Sequence, residues 1–172
     1  MNEVPRSRAL AAALVLLAAA GCATGGRIEN GVFHSPKGYR VTLPAAGWKV
    51  EQGTRADLAL QSEATPGGML VDATCGGREL SRPLDVLTRH LTFGLTKRDV
   101  VEDGTIRVAG HDAAHSTVRG MADGREVTVE AMVLRVEPCV HDFLYVAPTG
   151  AFASGRPAFR SMVESFSRER RW

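Results

Sequence analysis

Long apolar runs, cysteine and excess charge are all scarce in this chain of 172 residues. No window holds the ~18 uninterrupted apolar residues that a spanning helix followed by a stop signal requires. Three cysteines are too few for a disulfide-dense mini-protein. A net charge of +2 projects little long-range field, so nucleic acid is not expected as a partner. Catalytic signatures are missing too: no G-x-S-x-G elbow surrounds Ser35 or Ser116, and neither a phosphate loop nor a G-x-G-x-x-G turn occurs. No catalytic residue and no cofactor is therefore expected. What remains is 44% hydrophobic and 23% charged, a globular composition sized for one domain rather than a disordered segment.

The first residues read as an address. Arg6 and Arg8 precede the run Ala9 to Ala20, built only from Ala, Leu and Val, and Gly21 and Cys22 follow. At ~12 residues the run is too short for a ~30 Å hydrocarbon core and fits the apolar part of a secretory signal peptide. Ala19, Ala20 and Gly21 leading into Cys22 resemble the lipobox of bacterial lipoproteins, with Ala19 where leucine is usual. That resemblance implies cleavage of residues 1–21, diacylglycerol on the Cys22 thiol, and acylation, such as palmitate, of the new amine. Two or three chains exceed the threshold for stable membrane attachment. By the same resemblance Ala23, where an aspartate would favour inner-membrane retention, implies an outer-membrane, periplasm-facing location in a Gram-negative envelope. Removing Arg6, Arg8 and Glu3 from 21 basic and 19 acidic residues leaves 19 and 18, a net charge of +1.

Residues 22–30 read as a lipidated tether and residues 31–172 as one domain. Strand alternation recurs around Tyr39 to Leu43, Trp48 to Val50, Leu58 to Gln61 and Met69 to Thr74. Turn residues at Pro44 to Gly47 and Pro66-Gly67-Gly68 separate them. Leu84, Leu87, Leu91 and Leu95 then repeat at helical spacing after Ser81 and Pro83. Strands resume at Val100 to Val108, Ala113 to Arg119 and Val127 to Val133, with Asp123-Gly124 as a hairpin turn signal. Val140 to Val146 is apolar on both faces, as a central covered strand would be. Phe159, Met162, Val163 and Phe166 form a closing helical stripe after Gly155, Arg156 and Pro157, and the Arg168, Arg170, Arg171 cluster reads as its solvated end. The pattern predicts an α+β fold, an antiparallel sheet of about seven strands built from hairpins and covered by helices.

The segment Phe33 to Pro44 with Trp48, the middle helix, Gly110 and the closing Phe159 to Phe166 with its MVESF resemble the PsbP/Mog-type, DcrB-like sandwich. That resemblance implies a three-layer α/β/α domain and says little of function, since its members bind proteins or membranes for unrelated purposes.

Candidate chemistry is thin. Cys75 and Cys139, in an oxidising compartment, either pair as a disulfide or stay as two buried thiols. His111 and His115 flank Asp112, but the surrounding alternation suggests a strand with no third ligand nearby, so no metal is expected. Cys139 and His141 share a strand face and are the residues a thiol enzyme would use. The leading expectation is a non-enzymatic, membrane-anchored envelope lipoprotein that binds an unidentified envelope protein. The alternative is a carrier of a small apolar ligand or lipid between the sheet and the Leu84 to Leu95 helix; a hydrolase or thiol enzyme ranks third.

Overall fold

The computed structural model describes residues 25–169. The segment 1–21, Cys22, Ala23, Arg170 and Arg171 lie outside the described residues.

Two antiparallel meanders build the main sheet. The first runs β4 (Trp48–Val50), β5 (Leu58–Ser62) and β6 (Gly68–Cys75), and the second runs β7 (Thr96–Val108), β8 (His111–Ala122), β9 (Arg125–Val136) and β10 (Cys139–Pro148). They join where β10 pairs with β6, giving a seven-stranded order β4-β5-β6-β10-β9-β8-β7. The doubly apolar Val140 to Val146 segment therefore lies in the fourth, central strand, as its composition predicts. Tight turns hold the register. Asp123 and Gly124 both have positive φ between the Ala122 and Arg125 pair, the geometry of a two-residue hairpin loop whose twist matches the strands. Ala109-Gly110 repeats it between β7 and β8.

A second, four-stranded sheet is ordered β1-β2-β3-β11, from β1 (Arg27–Glu29), β2 (Val32–Ser35), β3 (Tyr39–Thr42) and β11 (Ser167–Arg168). It corrects the tether boundary. Residues 27–29 already pair with β2, and Asn30-Gly31, both at positive φ, close a hairpin rather than extend a linker.

Each face of the main sheet carries a helix, so the fold is a single-domain, three-layer α+β sandwich. On one face Leu84, Leu87 and Leu91 of α1 (Leu84–His90) and the following turn pack on Val133 and Val140. On the other, α2 (Phe152–Glu164) and the small sheet enclose the major core, in which Tyr39, Phe143, Tyr145, Phe159 and Met162 are buried. Each such side chain stabilises the fold by about 1.5–3 kcal/mol.

Both helices depart from the sequence expectation. The first ends at His90, and Leu95 turns toward Gly120, where a Cβ would come within 3.0 Å of it. The second begins at Phe152, so Gly155, Arg156 and Pro157 lie inside it. Packing overrides propensity here, because Phe152 stacks on Tyr145 with ring centroids 5.0 Å apart and anchors the first turn.

Candidate functional site

Side chains alternate across β10. Phe143, Tyr145 and Ala147 are buried under α2, while Leu144, Val146 and Pro148 point to the α1 face. There α1 is too short to roof them: seven residues span about 10 Å, against about 33 Å for a ten-residue strand. It covers the Val133 and Val140 end of the face and leaves the other end bare.

The bare end is a groove of about 540 Å³, open to solvent. Leu144 and Val146 of β10, Leu70 of β6, Ala59 of β5 and Val127 of β9 form its half-buried apolar floor. Pro66 and Gly67 make a wall; a Cβ on Gly67 would lie 2.9 Å from the Val146 carbonyl oxygen, and its φ of +155° also disfavours any other residue. Arg125 and Glu51 stand on the rim with opposite charges. The hundreds of cubic ångströms that the carrier expectation requires thus lie beside α1's end of the face, lined by no residue of that helix.

On the opposite face a carboxylate is fully buried. Glu130 of β9 has 0% exposure and receives three donors from two elements. His115 Nε2 of β8 lies 2.9 Å from Oε1, Arg160 Nη2 donates to Oε1 at 2.7 Å, and Arg156 Nε donates to Oε2 at 3.0 Å. Arg156 also donates to Glu102 of β7 at 2.6 Å. Burial pushes Glu130 upward, but hydrogen bonds from His115, Arg156 and Arg160 outweigh it and hold the carboxyl at about 2. Glu102, His115 and Glu130 bring ligand-type atoms within 4.8 Å of one another. Two guanidiniums already occupy the Glu130 oxygens, so the cluster acts as a clamp fastening α2 to the sheet. Sequence reasoning missed it. Its members come from β7, β8, β9 and α2, and only strand register unites them.

Residues singled out from the sequence separate. Cys75 and Cys139 are directly opposed on β6 and β10 and form a disulfide, which leaves Cys139 no thiolate for the Cys139–His141 pair. His115 turns to Glu130 and His111 to the Phe166 ring, so the two serve different neighbours. Near the disulfide Lys37 Nζ is held by Asp57 at 2.7 Å and Asp72 at 3.1 Å, and the Tyr39 hydroxyl donates to Asp57 at 2.8 Å.

No family model matches the chain, and no curated protein matches it. Solved structures do. LpqN of Mycobacterium tuberculosis, described as involved in cell envelope biogenesis, superposes with a TM-score of 0.65 at 14% identity, over 80% of this chain and 88% of LpqN. Cyanobacterial PsbP (CyanoP) of Synechocystis sp. gives 0.55 at 11% identity, over 80% and 91% of the two chains. A Bacteroides thetaiotaomicron protein gives 0.60 at 12% identity over 86% of this chain, which spans only 49% of that protein's length. These likenesses establish a PsbP-like fold.

Proposed function

We propose that the protein is a lipid-anchored accessory module of the cell envelope, without catalysis of its own, that docks a protein partner on the bare apolar end of its seven-stranded sheet. The groove floored by Leu70, Val127, Leu144 and Val146 carries this reading. An apolar centre with charged residues at the rim is the anatomy of a protein interface. A carrier buries most of its ligand's surface, whereas this groove opens to solvent along one side. The lipobox resemblance around Cys22 supports the anchor, and the shared fold with LpqN, whose description names envelope biogenesis, supports the setting. Engagement of Cys139 in a disulfide and of Glu130 by two arginines supports a non-enzymatic role.

Two variants test it. Cys22→Ser should move the protein from the membrane to the soluble fraction, and a processed variant that stays membrane-bound contradicts the anchor. Leu144→Glu places a charge on the groove floor while leaving the cores intact. It should lose the partner that wild type recovers from envelope extract; undiminished recovery contradicts the docking surface.

A further inference from the structure

The strands that floor the groove are all interior. β5, β6, β10 and β9 each pair on both sides, so none offers a free backbone edge to an incoming chain. An extended segment laid over this apolar floor would leave its own N–H and C=O groups without partners, whereas a helix satisfies them internally. The layer is also incomplete: α1 covers the Val133 and Val140 end of this face, and no element covers the groove. From Asp142 to Pro148 the central strand runs about 20 Å, the length of a helix of about 13 residues.

Charge is distributed unevenly along that length. The floor pair Leu144 and Leu70 is followed, toward α1, by Asp142 directly opposite Asp72 on the same face, about 6.6 Å further along the strands. Like charges opposed on adjacent strands are destabilising. Lys37 is shared between Asp72 and Asp57, so one cation serves two carboxylates. The Asp142 carboxylate makes no hydrogen bond or ion pair among the described residues, and burial, with Asp72 beside it, raises its pKa to about 6. Arg135, on the same face of β9, donates to the Arg82 carbonyl instead. Glu51, whose N–H bonds the Ala59 carbonyl, flanks this half of the groove, and Arg125 borders the opposite end. A cation is therefore favoured at the α1 end and disfavoured at the far end.

We propose, resting on the docking reading above, that the groove receives an amphipathic helix of the partner, roughly three to four turns long, which completes the α1 layer. Its apolar stripe lies on Leu70, Val127, Leu144 and Val146, and a Lys or Arg at its α1-facing end donates to the Asp142 carboxylate. Asp142 weakens the free fold and gains a partner only when that cation arrives.

The full chain in non-ionic detergent is titrated at about pH 7.5 with two stapled helical peptides of about 14 residues, which share one leucine stripe and carry either lysines or glutamates in the last turn. A third probe is the lysine peptide unstapled and broken by a central proline. Fluorescence anisotropy reads binding, and carboxyl NMR reads Asp142. The lysine helix should bind at least about tenfold more tightly than the glutamate helix and shift the Asp142 carboxyl resonance saturably. Asp142→Asn should bring the two within about threefold, and Leu144→Glu should abolish both. Equal binding of the two helices, or a lysine preference that survives Asp142→Asn, overturns the basic end. Equal binding of the proline-broken peptide overturns the helix, and binding that survives Leu144→Glu overturns the site. If no peptide binds while the envelope partner is still recovered by wild type and lost by Leu144→Glu, the helix is overturned and the docking surface stands. Failure of both overturns the two together.

Discussion

Glu130 has no exposed surface, yet its three donors keep it ionised down to about pH 2. Its folded pKa lies below the ordinary 4.5, so the stability it confers is complete above pH 4.5 and disappears as pH falls toward 2. The shift corresponds to roughly 3 kcal/mol. Glu130→Gln should destabilise the protein by about that amount at pH 7 and flatten the acid limb of its stability curve, as denaturant titrations across pH would read. A variant that unfolds in acid like wild type would show that the clamp carries no stability. Neighbouring residues on β10 oppose each other. Burial lowers the His141 pKa to about 4, which favours the folded state as pH rises above that value toward 6.5. Burial, aided by Asp72, raises the Asp142 pKa to about 6, which favours the folded state at low pH and weakens it as pH rises through 6. Asp142→Asn should therefore gain about 1–2 kcal/mol near pH 7.5 and nothing near pH 4, making stability fall more steeply on acidification than in wild type. Equal gains at both pH values would contradict the assignment.

At the scale of elements, α2 meets the sheet through a close approach at Gly155. A Cβ there would lie 2.3 Å from the Tyr145 hydroxyl oxygen and 3.2 Å from the Trp48 ring. Gly155→Ala improves helix propensity by about 1 kcal/mol but should lower stability by about 1–3 kcal/mol net, because the buried Tyr145 cannot retreat. A rise in Tm would refute the contact. The bridge between β6 and β10 closes a separation of 64 residues, and replacing both cysteines with serine should cost about 2–4 kcal/mol on the chain-entropy account. Thermal unfolding of that variant checks it. Strands were the legible elements: period-two alternation and the Asp123-Gly124 turn identified β8, β9 and β10, and two apolar faces identified the central strand. Helix limits were less legible, since local signals at Pro157 and Leu95 yielded to the contacts of Phe152 and Gly120. The small sheet was hidden because Tyr39 to Thr42 carries the same alternation whichever sheet it joins. The Glu130 clamp and the groove need pairing register, which alternation within one strand cannot supply.

At the scale of the molecule, the two faces of the central sheet have different tasks. One is covered by α2 and the small sheet and holds the major core; the other is roofed at one end by α1 and bare at the other. A helix of seven residues roofs only part of that face, and the proposed docking rests on the apolar surface it leaves bare. Photo-crosslinking in living cells tests that assignment most directly, with a photoreactive residue at Leu144 on the groove floor and, as control, at Arg89 on the exposed side of α1. A discrete protein adduct is expected from position 144, absent from position 89 and abolished by Val146→Glu. Adducts that are absent, or equally abundant from both positions, would contradict it.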